Sequence, residues 1–286
     1  MKERIFSQES VEKPQKVLFE RVPEVATAYI SINNGEKNIV SLEVLGELES
    51  CIDRLKEDAE IKYVVFHSGR IVGQDSEDVP PRISSEYAEC SGYFSTGAHV
   101  REMSELSKEE AFEYSKLGQR IMKKIQDLPQ TTVAVIPQGF CVGGGLELSM
   151  SCTYRIAHKG SVFQMPEKKL NIIPGWRGTQ TLPYHIGVQE AEAWINSGGK
   201  SMKAEKAYEL GLIDYLYENP LGNTNAMIQH GIDFISRSKH DPAKITLNGK
   251  KIENDDDEAT LFADSWNNGT PQGMISFLEK QKKATK

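Results

Sequence analysis

The sequence predicts an α/β fold that becomes all-helical towards its C-terminus, and three features carry that reading. Val25 to Ile32 is rich in β-formers and partly alternating, which is a strand pattern. Leu45, Leu48, Ile52, Leu55 and Ala59 then recur at helical spacing, and the apolar run Ile61 to Phe66 follows as a second strand. The same order returns further on. Tyr114, Leu117, Ile121, Ile125 and Leu128 form a helical stripe ahead of the run Thr131 to Ile136. Strands alternating with helices imply an α/β core. From about residue 225 only helical patterns remain, over Ala226 to Ser236, Glu258 to Trp266 and Pro271 to Lys283. The division expected is a core over 1–217 and a helical region over 218–286, the latter too small for a core of its own.

Composition narrows the classes of function. The 286 residues, 38% of them hydrophobic, suffice for one substantial core with a smaller appended unit. A net charge of −7 gives no general attraction to nucleic acid or anionic lipid, so any phosphate-rich ligand needs cations placed locally. Cys51, Cys90, Cys141 and Cys152 share no metal-ligand spacing and read as reduced thiols of an intracellular protein. No apolar run approaches the roughly 18 residues of a membrane span. Met1 to Lys16 mixes charges of both signs and has no apolar centre, so it resembles no signal peptide. The expected location is the cytoplasm. The acidic run Asn254 to Glu258 reads as a solvated loop opening a helix, where carboxylates suit the dipole.

Chemistry concentrates in three segments. In Tyr93 to Met103, the turn Ser95-Thr96-Gly97-Ala98 feeds a helix start. In Pro137 to Ser149, an apolar strand runs into Gly143, Gly144 and Gly145 and then into a helix-competent stretch carrying Glu147. Such glycines permit close backbone approach to a ligand and leave N-terminal N–H groups unpaired. This is neither a phosphate loop nor a dinucleotide fingerprint, for the spacing of both is absent. In Phe163 to Leu182, Pro166-Glu167 precedes Ile173-Pro174-Gly175-Trp176-Arg177-Gly178-Thr179-Gln180.

Taken in order, these segments resemble the crotonase (enoyl-CoA hydratase/isomerase) superfamily over roughly residues 25–216. Gly273 to Lys280 is similar to that family's closing helix. The resemblance implies a crotonase-like spiral of ββα units followed by a C-terminal helical oligomerisation region, assembled as a homotrimer or a dimer of trimers. It implies an acyl-CoA thioester as substrate, no further cofactor and no metal. The thioester carbonyl would lie between the backbone N–H groups of Ala98 and Gly144, each such donor being worth about 3 kcal/mol to a developing oxyanion. Glu147 and Glu167 match the family's hydratase pair. A base that activates water and an acid that protonates the α-carbon each contribute on the order of 10²–10⁴-fold. Hydration of an α,β-unsaturated acyl-CoA is therefore expected ahead of isomerisation, decarboxylation or ring-opening hydrolysis, and ahead of a non-catalytic CoA-binding role. Phe277 and Lys280, three apart on one helix face, would reach a neighbouring subunit's nucleotide site.

Four positions depart from the family pattern and are expected at the substrate pocket. His99 stands where Asp is usual, Met165 replaces a common Gln, and Trp176 and Arg177 replace small residues. Ser68 to Tyr93 forms a long connection into the first oxyanion segment, a length that in compact domains marks function or disorder.

Overall fold

Two sheets of unequal size carry the fold. The structure, a computed structural model, describes residues 15–68, 92–218, 224–237 and 255–284. The larger sheet has six strands in the order β1-β2-β3-β5-β7-β10: β1 (Val17–Val22), β2 (Thr27–Ile32), β3 (Tyr63–Ser68), β5 (Thr131–Ile136), β7 (Tyr154–His158) and β10 (Tyr215–Tyr217). Only β1 runs antiparallel, against β2 at the edge; the other neighbours are parallel. The smaller sheet has the order β4 (Tyr93–Ser95), β6 (Phe140–Val142), β8 (Val162–Gln164), β9 (Met202–Lys203). Strand pairs β3/β4, β5/β6 and β7/β8 each send their first member to the large sheet and their second to the small one. Helices fill the intervals, giving the expected spiral of ββα units.

Both faces of the large sheet are covered, which explains why its strands read as nearly continuous apolar runs. Ala28, Ile30, Val64, Phe66, Ala134 and Ile136 face the main core. The alternate residues Tyr29, Val65, Val133 and Val135 face a second cluster with Ile228 and Ile235 of helix α8 (Thr224–Arg237). On the main-core side lie α1 (Leu42–Lys56) and α3 (Lys108–Gln126). Ser41 caps α1 by accepting from the Val44 N–H, and Ser107 with Glu110 forms a reciprocal capping box on α3. The strand expected from Val25 begins two residues later, because Pro23–Val25 forms a 3-10 turn closed by Ala26 in the left-handed region.

Beyond β10 every described element is helical: α8, α9 (Asp255–Asp264), a 3-10 turn at Ser265–Asn268 and α10 (Thr270–Ala284). Phe262, Ala263, Trp266 and Met274 bury into the main core rather than forming one of their own. α9 packs on α3, and α10 packs on the short helix α2 (Val100–Ser104) and on the turn Glu167–Leu170. Most of the Ser68 to Tyr93 connection, with Cys90, lies outside the described residues. Among those described, no helix is long and apolar enough to cross a membrane.

Candidate active site

The small sheet and the helices that follow it enclose a cavity of about 530 Å³. Ala98, His99, Gly144, Glu147, Glu167 and Trp176 all line it. Ala98 and Gly144, distant in sequence, meet here because β4 and β6 are parallel neighbours that both end at this cavity.

Backbone geometry brings together the two segments expected to form an oxyanion hole. Val40 pairs with Ala98 in an isolated parallel bridge, its N–H bonded to the Gly97 carbonyl and its carbonyl accepting from the His99 N–H. That pattern turns the Ala98 N–H away from Val40. Ser95 Oγ fixes the turn by accepting from the Gly97 N–H at 3.0 Å and donating to the Asn38 carbonyl at 2.7 Å. Gly97 has φ +85°, and a Cβ there would stand 2.9 Å from the Gly144 nitrogen. Gly144 opens helix α4 (Gly144–Met150), whose first N–H groups lack intrahelical partners. A Cβ on Gly144 would come within 2.4 Å of the Trp176 ring.

The two carboxyl groups are buried, with relative exposures of 3% for Glu147 and 8% for Glu167. Glu147 sits in the first turn of α4, and its Oε1 accepts from the Trp176 and Gly178 N–H groups, both at 2.8 Å. Burial, then the charges of Glu167 and Glu258, hold its pKa well above the ordinary carboxyl range against the pull of those two donors. Glu167 begins the 3-10 turn after Pro166, and burial pushes its pKa up to about 7. Its Oε2 is buried without a hydrogen-bond partner among the described residues. Burial and the repulsion between the two groups both disfavour the doubly ionised pair.

Glu167 also makes stability depend on pH. Its folded pKa of about 7 exceeds the ordinary 4.5, so the stability it contributes is whole below 4.5 and is lost as pH rises through 7. At about 1.4 kcal/mol per unit, the loss is about 3 kcal/mol. Glu167→Gln is therefore expected to be more stable than the native protein by up to about 3 kcal/mol at pH 8, the gap closing near pH 4.5. Denaturant titrations at the two pH values measure this, and equal curves at both would contradict it.

The other expected pocket residues divide. His99 lines the cavity and also caps α2, its Nδ1 accepting from the Glu102 N–H at 3.2 Å. Trp176 is both wall and core: it is 3% exposed, wedged against Gly118 and Gly144, with its ring centre 5.6 Å from that of Tyr114. Met165 is fully buried and does not line the cavity; its methyl packs beside Gly178, behind the Glu147 carboxyl. Arg177 does not line it either. Its buried guanidinium donates to Asp255 Oδ2 at 2.8 Å, an ion pair that draws it away from the cavity. Phe277 lines the cavity of its own chain, while Lys280 is exposed and outside the lining. The cations on the wall are instead Lys37, Arg101 and Lys169.

One expectation holds only in part: the acidic run opens α9 and Asp256 and Asp257 are exposed, but its two ends are not solvated. Asp255 holds Arg177, and Glu258 is 3% exposed and bonded to the 177–179 turn. Among the described residues, no group of three or more His, Cys, Asp or Glu side chains could hold a metal ion.

A family model described as enoyl-CoA hydratase/isomerase matches residues 87–286, well over half of the sequence. The chain belongs to the enoyl-CoA hydratase/isomerase family. Among curated relatives of this family member is a probable enoyl-CoA hydratase of Bacillus subtilis, 34% identical over 188 residues. A putative enoyl-CoA hydratase/isomerase, YngF, of the same organism is 32% identical over 190 residues. The alignments span 65% and 66% of this chain, and only 64% and 65% of those proteins. Solved structures share the crotonase fold. Human mitochondrial delta3-delta2-enoyl-CoA isomerase superposes with a TM-score of 0.74 at 21% identity, covering 95% of this chain and 100% of that one. An enoyl-CoA hydratase from Bacillus halodurans gives 0.71 at 21%, covering 91% and 99%.

Proposed function

We infer that the protein adds water across the double bond of an α,β-unsaturated acyl-CoA thioester. The observation that carries this reading is a pair of buried carboxyls with raised pKa values at one cavity, beside two converging backbone segments. In the reaction inferred, the thioester oxygen accepts from the Ala98 and Gly144 N–H groups. Water gives its proton to one carboxylate as its oxygen bonds to the β-carbon. The other carboxyl protonates the α-carbon. One carboxyl has then gained a proton and the other has lost one, so a proton exchange between them restores the pair. Two N–H donors fix Glu147 Oε1 in place, while Glu167 Oε2 is left open to water or substrate. Lys37, Arg101 and Lys169 supply the local positive charge that coenzyme A phosphates require of an acidic protein.

A panel of straight-chain and alicyclic 2-enoyl-CoA thioesters, read by mass spectrometry, tests this. The expected product is heavier than the substrate by one water. Release of free CoA, or double-bond migration without change of mass, would place the protein elsewhere in the family. Assembly as a homotrimer or dimer of trimers belongs to the same proposal. Leu261 on α9 and Ile275 on α10 expose apolar side chains suited to an interface, and a monomer in light scattering at micromolar concentration would rule that out.

A further inference from the structure

Four consecutive N–H groups, those of residues 176 to 179, are shared alternately between two buried carboxylates. The Trp176 and Gly178 N–H groups donate to Glu147 Oε1, each at 2.8 Å. The Arg177 N–H donates to Glu258 Oε1 at 2.6 Å and the Thr179 N–H to Glu258 Oε2 at 3.2 Å. The Thr179 hydroxyl donates to the same Oε2, and Gln119 Nε2 to Oε1 at 3.3 Å. Four donors on one carboxyl favour its ionised form, against the burial that raises its pKa.

Nothing else on α9 duplicates that grip. Asp255 holds the Arg177 guanidinium and Gln180 Nε2, and Asp256 pairs with Lys116 of α3. Asp257 is exposed. From α3 the groups beside Glu258 are Gln119, which donates to it, and Ser115, whose hydroxyl bonds the Gly175 carbonyl; from α4 the charged neighbour is Glu147. Arg177 itself has φ +77°, a conformation rarely adopted by a side-chain-bearing residue and one that must be held by its surroundings. Asp255 and Ser115 hold side chains and a carbonyl of this segment, so an anion on the second pair of N–H groups is what restrains the orientation of the first pair on Glu147.

We propose that Glu258 is a positioning residue for Glu147, gripping the 177–179 turn so that the Trp176 and Gly178 N–H groups stay on the catalytic carboxylate. The C-terminal region thereby completes the site of its own chain. In its kinetic consequence the inference rests on the hydratase reading; in its electrostatic consequence it does not.

Two variants test it. Glu258→Ala removes the grip and is expected to lower kcat for hydration by at least about 10-fold, since small misplacements of a reacting group cost that much or more. The Kd of a saturated acyl-CoA is expected to stay within about two-fold. Glu258→Gln leaves an acceptor for the Arg177 N–H, and the Thr179 hydroxyl can turn to accept from the new amide; the Thr179 N–H alone loses its acceptor, so most of the tether survives while the charge goes. Carboxyl-carbon NMR of glutamate-labelled protein, with the Glu147 signal assigned by its loss in Glu147→Gln, is expected to show Glu147 titrating at lower pH in Glu258→Gln. A kcat loss under about three-fold in Glu258→Ala, or a fall in ligand affinity matching the fall in kcat, would overturn the proposal. So would a Glu147 midpoint that stays or rises in Glu258→Gln, and that reading stands even if Glu258→Ala does not fold. If Glu147→Gln proves as active as the native protein, the hydratase reading falls, and the grip is still decided by comparing the two Glu258 variants. With the charge gone in both, Glu147 is expected to titrate at higher pH in Glu258→Ala, where its two N–H donors are released, than in Glu258→Gln.

Discussion

Glu147→Gln and Glu167→Gln are each expected to lower kcat for hydration by at least about 10²-fold, with the Kd of a saturated acyl-CoA nearly unchanged. Glutamine keeps the volume and one acceptor, so the Trp176 and Gly178 N–H groups still find an oxygen on residue 147. What it removes is proton transfer. The proposed oxyanion donors, backbone groups of Ala98 and Gly144, remain in both variants, which is why binding should survive. In the proposed reaction the two carboxyls act as one unit, and the double variant should then be little worse than either single one. Steady-state kinetics beside calorimetric binding of the saturated thioester makes the comparison. Should both single variants keep native rates, the pair does not move the protons and the hydration mechanism is wrong.

Trp176→Ala is expected to cost about 3–5 kcal/mol of stability and to broaden the range of acyl groups accepted. The first effect follows from packing, for the indole fills the space between Gly118 on α3 and Gly144 on α4. A glycine faces it on each side, and alanine at 176 leaves both surfaces without a partner. The second follows from position, because the same ring forms cavity wall beside the Gly144 donor. Thermal melting and the acyl-CoA panel, run on one preparation, separate the two effects. Lost stability with an unchanged profile would reduce Trp176 to core, and a changed profile without lost stability would contradict its burial.

Much of this site was legible in the sequence because its chemistry is local. Gly97-Ala98, Gly143-Gly144-Gly145 and Pro166-Glu167 each lie within a few residues of a turn, and such turns need glycine or proline for steric reasons. The large-sheet strands Thr131–Ile136 and Thr27–Ile32 were legible as β-rich runs for the same local reason. Of the small sheet only β6 was, as the apolar stretch running into Gly143; the other strands are two or three residues long and show no period. Long-range pairing hid the rest. Arg177 read as a candidate for the substrate, yet its partner Asp255 lies 78 residues away. The acidic run at 255–258 read as solvated because four carboxylates in a row usually are. A signal was nevertheless present. Ala259, Phe262, Ala263 and Trp266 form the buried stripe after Glu258, and Glu258 lies one turn before Phe262 on that same face. Its burial could have been inferred from the period of its neighbours. Lys37 and Lys169 gave no such signal, because surface lysines look alike until a cavity forms beside them.

The central claim is that this pair of carboxyls adds water to a conjugated thioester, and one measurement addresses it directly. A trans-2-enoyl-CoA is turned over in oxygen-18 water, and the product is fragmented to locate the label. The account predicts a 3-hydroxyacyl-CoA with the heavy oxygen on the β-carbon, formed by the native protein and at least about 10²-fold more slowly by Glu167→Gln. Heavy oxygen in a released carboxylic acid, or no incorporation while the double bond moves, would contradict it.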